Sequence, residues 1–107
     1  MKEIPPDLLD EIVRRLVEAL DPLEIYLFGS HAQGKAHEHS DLDFLIVVPD
    51  DAGSQHELAG QGYVAMRGLA VPVELVVLTR SDMDKWAPVR FSLAFEVAQK
   101  GKRLYVA

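Results

Sequence analysis

A chain of 107 residues, 49% hydrophobic and 26% charged, suits one soluble globular domain with a modest core. It has no cysteine, which removes a disulfide framework and any Cys-based zinc site, and no apolar run approaches the ~20 residues of a membrane span. A net charge of −6 argues against direct nucleic-acid binding, and the acidic N-terminus is no signal peptide, so the default location is cytoplasmic.

The first element is an amphipathic helix over Pro5 to Leu20. Leu8, Leu9, Ile12, Val13, Leu16, Val17 and Leu20 recur at helical spacing, with Glu11, Arg14, Arg15 and Glu18 on the other side. Asp7 is its expected N-cap, and Asp21-Pro22 ends it. Leu23 to Phe28 reads as a strand, followed by a Gly29-Ser30 turn. Ser30 is placed to cap a short segment, His31 to Gln33, which Gly34 stops. Lys35 to Ser40 is a polar loop, and Leu42 to Val48 is a nearly continuous apolar run, as in a central strand buried on both faces.

Gly53 to Leu69 allows a helix that Gly60 and Gly62 weaken. Val71 to Thr79 is a third strand, apolar but for Glu74, with Pro72 near its start. A helix start follows at Ser81–Asp84, interrupted at Pro88. Val89 to Lys100 reads as a last helix with Phe91, Ala94, Phe95 and Ala98 as its stripe and Gly101 as its C-cap. Leu104–Val106 then offers a short final strand.

Two chemistries compete in the centre. Gly29 to Lys35 fits G-x-x-x-x-G-K after a strand, most of a phosphate-binding P-loop. The next residue is Ala36, where that motif needs a hydroxyl for the metal, and the segment beyond is a poor helix. The better reading uses three carboxylates. Asp41 and Asp43 share one face of the second strand. Glu74 is a lone charge inside the third, where an ionised carboxylate is costly unless paired or metal-bound. If those strands are neighbours, the three converge, and a hard divalent ion, Mg²⁺ or Mn²⁺, relieves their repulsion. Such a site has room for two ions flanking a transferred phosphoryl group.

Gly29-Ser30, ten intervening residues, then Asp41-x-Asp43 resembles the signature of nucleotidyltransferases related to DNA polymerase beta. GSHAQG followed by SDLDFLIV is most similar to their small bacterial branch, the minimal nucleotidyltransferases, and the likeness covers nearly the whole chain. The resemblance implies an α+β (α/β-like) fold, with a mixed central β-sheet flanked by helices. It implies that Gly29 and Ser30 hold the phosphates of ATP, that Asp41 and Asp43 bind two Mg²⁺ ions, and that Glu74 is the third acidic residue, catalytic and metal-facing. The family usually has Asp there. It further implies a HEPN-domain toxin as partner, neutralised by transfer of AMP to one of its tyrosines. A homo-oligomer is compatible with the chain.

The alternatives are an antitoxin that merely occludes its partner, or a transferase acting on RNA ends or a small molecule. His31 and Lys35 are further candidates for phosphate contact, His37 and His39 read as solvated loop residues, and Arg80 as a surface charge. Trp86, Phe91 and Phe95 belong either to the core or to a partner-facing helix.

Overall fold

A computed structural model describes residues 2–107. Helix α1, Pro6–Leu20, buries Ile12, Leu16 and Leu20, the central line of its apolar stripe. Asp7 does not cap it. The N-cap is Pro5, without a side-chain bond, and Asp7 lies inside the first turn, where a carboxylate still favours the positive end of the dipole. Asp21 ends the helix in the left-handed region at φ 46°, its N–H donating to the Val17 carbonyl.

Four strands form one sheet in the order β3-β2-β1-β4. Strands β1 (Glu24–Phe28) and β2 (Leu42–Val48) are antiparallel, and β3 (Val73–Thr79) lies parallel to β2. Strand β4 (Lys102–Val106), foreseen at Leu104–Val106, closes the far edge antiparallel to β1. Helix α2 (Gln55–Ala65) is the parallel crossover, while α3 (Arg80–Trp86) and α4 (Leu93–Lys100) follow β3. The sheet is therefore mixed and flanked by helices, as anticipated.

The alternation of β2 sorts the two layers. Leu42, Phe44, Ile46 and Val48 enter one core with α1 and α2, and Leu45 and Val47 enter another with Met83 of α3 and Ala94 and Val97 of α4. Asp43 falls in the second set, so the acidic residues lie on the α3/α4 side.

The end of the chain departs from expectation. Helix α4 begins at Leu93, not Val89, because Ser92 caps it, its Oγ accepting from the Phe95 N–H at 3.1 Å. Its buried stripe is Ala94 and Val97. Ala98 faces solvent, and Phe91 lies before the helix, 99% exposed at φ 69°. Gly101 follows in extended, not left-handed, backbone. Its need for glycine is proximity: a Cβ there would sit 2.6 Å from the Val97 carbonyl oxygen and 3.2 Å from that of Leu27. Gly60, inside α2, has nothing within 4 Å of such a Cβ. Gly101→Ala is thus expected to cost about 1–3 kcal/mol by crowding backbone. Gly60→Ala is expected to add about 0.5–1 kcal/mol through helix propensity. Urea unfolding of the two variants checks both signs.

Strand β3 is an edge strand, and α2 covers part of that edge. Gln55 Nε2 donates to the Val77 carbonyl at 2.8 Å, and the Leu75 N–H donates to the Tyr63 hydroxyl at 3.0 Å. Below the second core, Glu24 of β1 is buried at 7% exposure. Its carboxylate accepts from Arg80 at the head of α3, from the Tyr26 hydroxyl at 2.8 Å and from Arg103 of β4 at 3.4 Å. Arg80, which reads in sequence as a surface charge, is a clamp between β1 and Asp84 of α3. Burial pushes the Glu24 carboxyl up, but the Arg80, Tyr26 and Arg103 bonds outweigh it and hold the group below its ordinary value. Glu24→Gln should cost about 1–3 kcal/mol at neutral pH by leaving part of this cluster unpaired. A depressed folded pKa gives stability that is present above the unfolded value of 4.5 and lost as pH falls through the folded one. The deficit of Glu24→Gln should therefore shrink below pH 4.5 in melts run across that window.

Candidate active site

The antiparallel return from β1 to β2 fixes the site. Register pairs Phe28, the last residue of β1, with Asp43 of β2, so the chain leaves β1 directly above Asp43. The next residue, Gly29, turns with φ 76°, and a Cβ there would collide with Asp43 Oδ2. Glycine is needed for both reasons: a left-handed backbone and a carboxylate pressed against its Cα. One helical turn follows, with Gln33 N–H donating to the Gly29 carbonyl at 3.2 Å and Lys35 N–H to the Ser30 carbonyl at 2.9 Å. Ser30 was expected to cap this turn. Its hydroxyl makes no such bond among the described residues, which leaves it available to a ligand.

The parallel pairing of β2 with β3 places Glu74 in register with Asp43, and Asp41 precedes β2 by one residue. The register sets Glu74 beside Asp43, and the Asp41 charge reaches Asp43, by another route than burial in a central strand. Glu74 is not a charge inside a central strand: β3 is the sheet's edge and Glu74 is exposed. Burial cost therefore does not compel its pairing; the register does. Asp43 is only partly exposed. Its burial, then its hydrogen bond with Glu74, then the charges of Glu74 and Asp41 push its carboxyl up to about 6.

Burial of the carboxylate is the largest part of that shift and the neighbouring negative charges add to it, so a bound cation would favour the ionised group. All candidate donors are hard carboxylate oxygens, which suits Mg²⁺ or Mn²⁺. Among the described residues no three His, Asp or Glu side chains are already arranged to hold a metal ion. The donor chemistry fits such an ion.

The polar loop beyond the turn is tied to itself. His37 N–H donates to Ser40 Oγ at 2.9 Å, Ser40 N–H to the His37 carbonyl at 3.0 Å, and His39 N–H to His37 Nδ1 at 3.2 Å. With His37 and His39 both exposed, this is the solvated loop that the sequence implied. His31 has its Nε2 buried without a partner among the described residues, a feature no sequence signal reveals. Gln33 Nε2 reaches Glu96 of α4 at 3.5 Å, linking the turn to the last helix across 63 residues.

Comparison with known proteins places this geometry. Residues 9–99 match the family model of the nucleotidyltransferase domain. No curated protein matches the chain. A crystal structure of a toxin–antitoxin with AMP-PNP is similar at a TM-score of 0.61 and 27% identity, covering 92% of this chain and 73% of that one. A candidate nucleotidyltransferase from Sulfolobus solfataricus gives 0.58 and 28%, covering 74% and 70%. A doubly substituted MntA–HpeT toxin–antitoxin gives 0.57 and 24%, over 92% and 73%, a likeness of fold alone.

Proposed function

The chain belongs to the nucleotidyltransferase domain family, and from that premise we propose that it transfers AMP from ATP to a tyrosine hydroxyl of a HEPN toxin, with Mg²⁺ as cofactor. The observation that carries this is the register of Asp43 with Glu74 beneath the Gly29 turn. The AMP-PNP in the similar toxin–antitoxin structure supports the nucleotide and the kind of partner.

In this reading the Gly29-Ser30 turn binds the β- and γ-phosphates through its backbone N–H groups and the Ser30 hydroxyl. Asp41, Asp43 and Glu74 would hold two Mg²⁺ ions. Bound there, the metal supplies charge neutralisation at the attacking and leaving oxygens. The acceptor oxygen attacks the α-phosphorus, the α–β phosphoanhydride bond breaks, and pyrophosphate leaves with the electron pair. Glu74, exposed beside Asp43, is placed to orient the acceptor and take its proton.

The test is to incubate the chain with α-labelled ATP, Mg²⁺ and the product of the gene beside its own. Label should appear on that protein with the wild type and not with Asp41→Ala/Asp43→Ala. A wild type that transfers no label removes the reading. A second reading, neutralisation by occlusion alone, draws on the lack of a preformed three-ligand group among the described residues. Toxin neutralisation that persists in the double variant would select it.

A further inference from the structure

Four of the large exposed hydrophobic residues lie within eight positions, at the corner joining α3 to α4: Trp86 (44%), Val89 (42%), Phe91 (99%) and Leu93 (37%). Phe91 is the extreme case. It contributes no burial to the fold, and it holds a left-handed backbone, φ 69°, that disfavours every residue with a Cβ. Glycine would serve this corner better on both counts, so the phenyl ring has no use within the chain itself. Beside it, a groove of about 510 Å³ runs between Arg90–Ser92 and the outer side of α4 at Phe95, Glu96 and Lys100.

The charge at this corner is opposite to that of the rest of the molecule. Residues 80–103 hold six basic and three acidic side chains, whereas the remainder holds five basic and fourteen acidic. Arg80 and Arg103 are used internally by Glu24, but Arg90 and Lys100 form no ion pair among the described residues. Lys85 lies over the Trp86 ring, 5.3 Å from its centroid. The corner also adjoins the site: α3 and α4 cover the sheet face bearing Asp43, and Glu96 meets Gln33 of the phosphate turn.

We propose that the α3–α4 corner, centred on Phe91 and Arg90, is the docking surface for the acceptor protein, which presents an apolar ridge flanked by carboxylates. Aromatic anchors with unpaired guanidinium and ammonium groups are the composition of an interface centre. Carboxylates on the partner complement Arg90 and Lys100. A nucleic acid suits this surface less well. Trp86 and Phe91 have faces on which a base can stack, but the fourteen acidic groups elsewhere repel a polyanion over its whole length. The inference rests on the transferase reading only in its choice of acceptor as occupant.

The experiment titrates the full chain by calorimetry with the product of the neighbouring gene and with a single-stranded RNA of ~20 nucleotides, and measures its mass alone across concentration. Wild type should bind the protein, and Phe91→Gly and Arg90→Glu should each weaken that binding by about tenfold or more. The thermal midpoint of Phe91→Gly should be equal or higher, which separates lost docking from lost folding. The proposal is overturned if the protein does not bind, or if it binds both variants as tightly as wild type. RNA binding that Phe91→Gly abolishes, or self-association that it abolishes, also overturns it, since the corner then has another occupant. Label transfer is scored separately. Docking that depends on Phe91 with no transfer by wild type retains this surface and removes the transferase chemistry.

Discussion

Asp43→Asn is expected to reduce nucleotide transfer by about 10³-fold or more, while making the metal-free protein more stable at neutral pH. The loss of rate follows from removing a metal ligand, since charge stabilisation by a bound cation contributes several kcal/mol and each 1.36 kcal/mol is about tenfold. The gain in stability follows from removing a charge that is partly buried and, in smaller part, faces the carboxylates of Glu74 and Asp41. The Asp43 carboxyl is pushed up to about 6 from 3.8. A raised folded pKa means that the folded state favours the proton, so the contribution of Asp43 to wild-type stability is full below about 4 and is lost as pH climbs through about 6. Because the group is partly exposed, screening reduces the effect, and about 1–2 kcal/mol is expected at pH 8. The asparagine variant escapes this loss. Urea melts at pH 8 should rank it above wild type, and melts near pH 4 should bring the two together. Adding Mg²⁺ should reverse the order at pH 8, because a cation that binds only the folded wild type stabilises only that protein. A variant less stable than wild type in metal-free buffer at pH 8 would mean that the carboxylate is structural.

Gly29→Ala is expected to lower transfer by roughly 10²–10³-fold and stability by about 1–3 kcal/mol. At φ 76° a Cβ costs about 1–2 kcal/mol of backbone strain, and here it also meets Asp43 Oδ2. Either the carboxylate rotates or the turn lifts, and a displacement of ~1 Å between catalytic groups is enough for about 10²-fold. Gly34→Ala is the control. Gly34 also has a positive φ, 69°, but nothing lies within 4 Å of an added Cβ. It should lose a similar increment to strain and keep most of its activity. Paired stability and single-turnover measurements separate strain from displacement, and equal rates for the two alanine variants would show that the turn does not rest on Asp43.

Much of this arrangement is legible in the sequence because it is local. The helical stripe up to Leu20 and the three apolar strands are patterns within short windows, and each matches an element, while the Gly29-Ser30 turn falls between β1 and β2. Phe91 misleads for a related reason. Its spacing from Ala94 and Phe95 mimics a helical face, and only the cap at Ser92 shows that the helix has not yet begun. The rest depends on contacts between distant residues. Glu24 finds Arg80 across 56 positions and Arg103 across 79, and no periodicity announces either. Glu74 is the instructive intermediate. Its chemistry is readable as a charge in an apolar strand, but whether that strand is central or peripheral is decided by sheet order, which a single strand does not encode.

That peripheral position has a kinetic meaning. On the sheet's edge, the carboxylate opposite Asp43 is open to bulk solvent, so a side chain carried on a whole folded protein can approach it without threading a cavity. Under the proposed transfer to a partner protein, discrimination among hydroxyls would fall to residence time at the domain's surface, and the rate would be set by the effective concentration that docking imposes on the acceptor. Transfer to a free tyrosine should remain slow even at millimolar supply. Fusing the acceptor segment to the chain by a flexible linker should restore much of the rate, and faster turnover with linker lengths that match the span would report directly on how the two proteins sit together.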